Sequence, residues 1–294
     1  MKNIILYVIT IVVWGSTWLA IKYQLGVVDP MVSVIYRFAL ASILLMFFCR
    51  VKGLTLKFSL KEHSFMALLG ILLFSVNYWL VYVAEVYVTS GLVAVLFSSI
   101  VFLNIVNGSF FLGTVIEKKM VAGATLGIAG IILIFMPEIK SFDFSDKGLF
   151  GLIIGFVSVL LASFGNITSA RNTKNKIPVI QANAFGMGYG VLLLTIIALF
   201  MGKEFNFTAS LPYMSSLLYL SVFGSIIAFY SYLTLIGSIG ADKASYAIMV
   251  VPVVALVLSS FFEGYTWNAY AVAGLFLVVG GNFLALFKPR RVAA

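Results

Sequence analysis

The sequence predicts an all-α integral membrane protein, with ten transmembrane helices arranged as two inverted five-helix repeats. Three observations lead there. The 294 residues are 62% hydrophobic and only 10% charged, with a mean hydropathy of +1.12. Soluble domains are about half apolar and about a quarter charged. This chain has too little polar surface to face water on every element, which excludes a water-soluble enzyme, a cytosolic binding module and a disordered chain. The apolar residues also fall into ten uninterrupted runs with short connections, and Lys and Arg collect on alternate sides of those runs.

Each run is long enough to be a span, since crossing about 30 Å of hydrocarbon takes about 20 helical residues. Walking from charge to charge, the first covers 4–21, between Lys2 and Lys22. It lacks a small-x-small cleavage motif and is read as an uncleaved span rather than a signal peptide. The next four cover 31–49, 64–84, 89–112 and 120–136. The second half supplies 148–170, 178–201, 213–235, 244–262 and 266–287. The runs are too long and too uniformly apolar for the alternation of a membrane barrel, so helices are required.

With the N-terminus in the cytoplasm, fourteen Lys and Arg fall on the cytoplasmic side, from Lys2 and Arg50 to Lys288, Arg290 and Arg291. Lys22, Lys140, Lys147 and Lys203 fall on the other, and Arg37 is left inside the second span. This bias puts both termini in the cytoplasm. The net charge of +9 is spread singly or in short groups, which speaks against nucleic acid. Cys49 is the only cysteine and cannot form an internal disulfide. One histidine, His63, leaves no material for a transition-metal site, and neither metal nor cofactor is expected.

A shift of 151 residues brings Gly113 onto Gly264, Gly123 onto Gly274 and Gly130 onto Gly281. A shift of 148 brings Pro30 onto Pro178. Residues 1–137 thus form a first repeat, 138–147 an extracytoplasmic linker, and 148–294 a second repeat. Five spans per half is an odd number, so the second half enters the membrane upside down. Inverted repeats place a substrate site near the midplane between the halves.

The chain resembles the ten-helix branch of the drug/metabolite transporter superfamily, the EamA-type permeases, over its whole length. The resemblance rests on the order and spacing of several pieces: Trp14-Gly15-Ser16-Thr17-Trp18, Pro30 with Arg37-Phe38, and Thr89-Ser90-Gly91 in the first half. In the second half they are 241–245, Pro252, Glu263-Gly264-Tyr265-Thr266-Trp267, and Gly274 to Gly281. Two departures stand out. Val101 occupies a place where the family often has proline, and Thr114 follows Gly113 where the family often has glutamate. Helix 4 is therefore expected to lack the kink that Pro252 can give helix 9. The resemblance implies a secondary transporter of the bacterial inner membrane, rocking around a cavity lined by spans 1, 3, 4, 6, 8 and 9. Its cargo would be a small metabolite, an amino acid or related compound, moved by export.

Polar groups inside lipid are costly and mark functional candidates, although Ser, Thr and Asn also hold helices together. Trp14, Thr17 and Trp18 share one face of span 1, as a substrate wall or as packing, with Gly15 and Ser16 allowing a neighbour's close approach. Asn77, Tyr78, Tyr82 and Glu85 make a polar-aromatic stripe on span 3. Spans 4 and 6 offer Ser98, Asn104, Ser163 and Asn166. Span 8 offers Ser221, Ser225 and Tyr232 on one stripe and Tyr230 on another, and span 9 offers Tyr246 and Pro252. Arg37 needs a partner or a path to water, and the resemblance suggests a structural or gating role rather than a substrate counter-ion. Glu85 and Glu263, at outer ends, are the only stand-ins for the intramembrane carboxylate that proton coupling usually uses. Uniport or exchange fits the sequence as well.

The expected partners are the lipid bilayer and a small-molecule substrate. The glycine faces of spans 5 and 10 serve either packing within the fold or a homodimer. The sequence bears on two other classes as well. A membrane enzyme lacks the clustered His, Asp, Glu and Cys it would need. A sensor or assembly protein without transport would share the composition and differ in carrying no flux.

Overall fold

The computed structural model describes residues 1–24, 26, 28–262 and 264–286, the side chains of Trp18 and Lys22 apart. Among the described residues every regular element is helical. In hydrocarbon, helices satisfy all their backbone hydrogen bonds within the segment.

The first half holds α1 (Lys2–Lys22), α2 (Pro30–Val51), α3 (Leu60–Tyr87), α4 (Ser90–Leu112) and α5 (Lys118–Ile134). The second holds α6 (Asp146–Lys174), α7 (Val179–Phe200), α8 (Leu211–Ile239), α9 (Ala241–Phe262) and α10 (Ala269–Leu286). Nine of these described helices are long and apolar enough to cross a membrane; α5 is the exception. Its seventeen residues reach about 26 Å at about 1.5 Å each. It runs Lys118–Ile134 rather than over the expected 120–136. Pro137 has no N–H to bond Leu133 O, so the helix stops at Ile134 and a separate turn, Met136–Lys140, follows.

The helix starts carry their own signals. Pro30 opens α2, where the Asp29 side chain accepts a hydrogen bond from the Met31 N–H at 2.9 Å. Ser59 and Glu62 cap α3 reciprocally. Gly113 ends α4 in the left-handed conformation, φ 69°.

Several helices are interrupted, and not where proline would put the break. In α3, Gly70–Ser75 is a π-helical segment, and the Ser75 hydroxyl donates to the Gly70 carbonyl at 3.1 Å and to that of Ile71 at 3.0 Å. In α8, Leu220–Ile227 is a second π-helical segment. α4 breaks at Ser99, contrary to the expectation of an unkinked helix 4. The cause is two serines that bond back into their own helix, Ser98 Oγ to Val95 O and Ser99 Oγ to Leu96 O, each at 2.6 Å. In α9 the helix runs on through Pro252, and the interruption lies at Ser245, whose hydroxyl bonds back to Asp242 O.

Small residues set the closest approaches. α5 and α10 cross antiparallel at four glycines. A Cβ on Gly123 would lie 2.6 Å from Gly281 O, and one on Gly130 would lie 2.6 Å from Gly274 O. Gly280, one residue from that seam, meets nothing within 4 Å. These glycine faces are thus used inside the fold. Gly15 packs against Val254 of α9, and Ser16 Oγ shares a hydrogen bond with the Tyr219 hydroxyl of α8 at 2.6 Å. On α6, Gly151 and Gly155 let Val88 and Leu96 settle onto the helix.

Candidate functional site

A buried seam of aromatic and polar side chains forms where α1, α2 and α3 meet α6 and α8. Trp14 stands at its centre. Its indole Nε1 donates to Gly224 O at 3.1 Å, a carbonyl in the π-helical segment of α8. A π turn leaves a carbonyl outside the regular α-helical pattern, which suits it to accept a side-chain donor. The Trp14 ring meets Phe229 edge-on at 5.0 Å and Tyr232 at 5.1 Å. Phe229 continues the column to Phe74 at 4.9 Å, to Tyr78 at 6.3 Å and to Phe38 at 6.3 Å. These are the edge-to-face and tilted geometries that aromatic quadrupoles favour.

One end of the column carries a cation. Arg37 is 3% exposed. Its Nε donates to Ser225 Oγ at 2.8 Å, and its guanidinium lies 5.4 Å from the Phe38 ring centre and 5.3 Å from that of Tyr78. The other end carries carboxamides. Asn166 Nδ2 donates to the Tyr232 hydroxyl at 3.0 Å, and Asn104 Nδ2 donates to Ala241 O at 3.2 Å. Among the described residues, Asn104 Oδ1 and Asn166 Oδ1 are buried and have no hydrogen-bond partner. Both sides of Asn183 on α7 are likewise unpartnered.

The structure sorts the sequence candidates. Trp14, Arg37, Tyr78, Asn166 and Tyr232 come together in this seam, with Ser225 bound to Arg37. Thr17 donates to Trp14 O, and its methyl faces Gly224. Asn77 is consumed by α6, donating to Ser158 O at 2.7 Å and Ser158 Oγ at 3.0 Å. Ser163 Oγ accepts from Asn107 Nδ2 at 2.9 Å. Ser98 and Ser221 bond within their own helices. Tyr246 donates to Met120 O, tying α9 to α5. Pro252 is buried in α9, and Tyr82 and Glu85 are half-buried toward the end of α3. Tyr230 is 37% exposed, on the face of α8 away from Tyr232. The Trp18 side chain and Glu263 lie outside the described residues. His63 shares a hydrogen bond with the Tyr189 hydroxyl at 2.9 Å, at the start of α3.

Sequence reasoning missed Phe38, Phe74, Phe229, Gly224 and Asn107. The phenylalanines carry no polar signal among the chain's 27. Gly224 acts through a carbonyl that only the π geometry frees.

Two ion pairs bind the halves together at opposite ends of the bundle. Lys203 Nζ lies 2.8 Å from Asp29 Oδ2, joining the α7–α8 turn to the start of α2. Lys243 Nζ lies 3.1 Å from Glu117 Oε1, joining the start of α9 to the α4–α5 turn, with Lys119 Nζ 3.2 Å from Glu117 Oε2. The hydrogen bond from Lys243, with Lys119 alongside, holds the Glu117 carboxyl below its ordinary range. A surface cavity of about 570 Å³ lies at the N-terminal end of α1, walled by Tyr7, Ile239, Lys243 and Leu286 among others, and includes no residue of the seam.

The comparisons with known proteins bear on the fold and the family. The EamA-like transporter family matches residues 1–136 and 149–287. The uncharacterized inner membrane transporter YedA of Escherichia coli (strain K12) is 30% identical over 287 residues, covering 95% of this chain and 90% of YedA. Protein PagO of Salmonella typhimurium is 24% identical over 282 residues, covering 96% and 92%. The uncharacterized transporter YoaV of Bacillus subtilis (strain 168) is 26% identical over 303 residues, covering 99% of each chain. A protein of known crystal structure superposes with a TM-score of 0.83 at 16% identity, over 99% of both chains, and so shares the fold. The chain is a multi-pass membrane protein, a transporter rather than an enzyme by family and relatives, and it belongs to the EamA-like transporter family of the drug/metabolite transporter superfamily.

Proposed function

We propose that the protein is a secondary transporter that exports a small metabolite, an amino acid or related compound, across the bacterial inner membrane by alternating access. The observation that carries this reading is the buried seam. It draws Trp14, Arg37 and Tyr78 from the first half and Asn166, Phe229 and Tyr232 from the second, and it offers aromatic surface with few charges. A cargo that is neutral overall or partly apolar suits such a lining. In this reading the structure is an occluded form, with the Asp29–Lys203 pair closing one end and the Glu117–Lys243 pair closing the other.

The reading includes ten spans as two inverted repeats with both termini cytoplasmic. In its support, the glycine contacts obey the 151-residue shift. Gly123 meets Gly281 and Gly130 meets Gly274, so exchanging each residue for its image in the other half returns the same pair of contacts. The two π-helical segments are also matched, both lying in the third helix of a half. The fourteen-to-four distribution of Lys and Arg supports the orientation.

Flux into and out of proteoliposomes loaded with labelled amino acids tests the function, with Trp14→Ala and Tyr232→Ala as site variants. Saturable flux that both variants lose is expected. Alternating access is tested in a Cys49→Ala background, with a single cysteine placed at Ser163. Labelling by an impermeant maleimide from either face of the membrane is expected, and labelling from one face only refutes the mechanism.

A further inference from the structure

We propose that Arg37 is the receptor for a carboxylate group on the transported molecule. The inference rests on the transporter reading and deepens it by naming the chemistry at one end of the seam.

Arg37 sits in α2, 3% exposed, within a span. A charge there normally has a counter-ion, because desolvating it alone is strongly unfavourable. Among the described residues none of the ion pairs involves Arg37. A buried lysine can escape by releasing its proton, but a guanidinium keeps its charge. The surroundings hold the group in place without neutralising it. Ser225 Oγ accepts a hydrogen bond from the Nε–H at 2.8 Å. The Phe38 and Tyr78 rings stabilise the cation through their faces. The Tyr78 hydroxyl is its other polar neighbour, and Gly224 keeps the adjacent backbone bare, since a Cβ there would lie 3.1 Å from Nη2.

A guanidinium has five N–H donors in a planar fork. Among the described residues the hydrogen bonds take the donor on Nε, to Ser225 Oγ, and one more, to the Tyr78 hydroxyl. A planar fork with free donors matches a carboxylate in a bidentate manner. The aromatic column beside it accommodates an apolar body. The structure thus assigns the missing half of the ion pair to the cargo, whose carboxylate completes the charge balance on entry.

The test is ligand-dependent stability of the purified full-length protein in detergent. The probes are butyrate and phenylacetate against their uncharged amides, butyramide and phenylacetamide, with chloride and phosphate as inorganic anions at matched ionic strength. At about ten times its Kd, an acid that binds raises the apparent Tm by roughly 2 °C. The expected result is a rise with at least one acid, none with its amide, and none with either in Arg37→Gln. Arg37→Lys keeps charge without the fork and is expected to lose at least half the shift, which keeps the test open if Arg37→Gln does not fold. Equal shifts for acid and amide, equal shifts for the inorganic anions, no shift with any acid, or a shift that survives in the Arg37 variants overturns the assignment. Proteoliposome flux is read in parallel. Flux without acid-specific stabilisation overturns the Arg37 assignment alone; acid-specific stabilisation without flux counts against the transport reading alone.

Discussion

The antiparallel crossing of α5 and α10 yields a sharp quantitative prediction. In Gly281→Ala the new Cβ would lie 2.5 Å from Gly123 O and 2.8 Å from Gly127 N. A relaxed carbon–oxygen contact needs about 3.3 Å, so the two helices must part by about 0.8 Å. Both contacts are backbone atoms, which cannot swing aside as a side chain would. A gap of that size forfeits about a quarter to a half of the dispersion at each contact, and membrane helices have no hydrophobic driving force to offset the loss. A destabilisation of about 2 kcal/mol is expected, within the range of overpacked cores. Gly280→Ala is the control, because nothing lies within 4 Å of its Cβ position. There, exchanging glycine for the better helix former should stabilise by about 0.5 kcal/mol. Gly123→Ala and Gly281→Ala demand the same separation, so the double variant should fall short of the sum by about 1 kcal/mol. Denaturant unfolding in detergent micelles, followed by tryptophan fluorescence, measures all four. If Gly281→Ala is as stable as Gly280→Ala, or the double variant is strictly additive, the close-packed crossing is wrong.

Other expectations follow from the seam and its ends. Tyr232→Phe removes the acceptor for Asn166 Nδ2 and should destabilise by about 1–2 kcal/mol; unchanged denaturant midpoints would contradict that contact. Trp14→Phe keeps a ring but loses the bond to Gly224 O, and flux should fall roughly fivefold, the equivalent of about 1 kcal/mol. Asn77→Ala should act on stability and leave cargo preference intact, since Asn77 is bound by Ser158; a changed preference in a competition assay would restore it to the lining. Glu117 has a lowered folded-state pKa, so its stabilising contribution is complete at neutral pH and is lost as pH falls below the ordinary carboxylate value of about 4.3. Unfolding midpoints of the wild type and Glu117→Gln should converge under acid, and in high salt as well, because the pair is partly exposed.

The helices were legible because charges stand at their ends: Lys2 at the start of α1, Arg50 in the last turn of α2, Lys118 at the start of α5 and Lys203 after α7. Composition could not reveal where a helix is interrupted. Ser98 looked like a lining residue, yet it spends its hydroxyl on Val95 O beside the break at Ser99, while Pro252, the expected kink, sits in unbroken helix. Trp14, Arg37, Asn166 and Tyr232 were legible as polar groups in lipid that need partners. The partners were less so. Phe229 is one apolar residue among many, and the π-helical turn at Leu220–Ile227 shifts the phase of α8, so a stripe counted at 3.6 residues per turn drifts across it.

The α5–α10 joint has the form of an isologous contact, the kind that two identical subunits make across a two-fold axis. Each side presents two glycines seven residues apart, read in opposite directions. A joint made within one chain is freed from the rule that both sides must be the same. Gly127 on α5 corresponds by the 151-residue shift to Val278 on α10. Val278 reaches over Gly130, while the bare backbone at Gly127 makes room for Met249 of α9. Here the two sides differ, and the difference seats a third helix against the joint. A true homodimer could not make that exchange, because every substitution would appear on both sides at once.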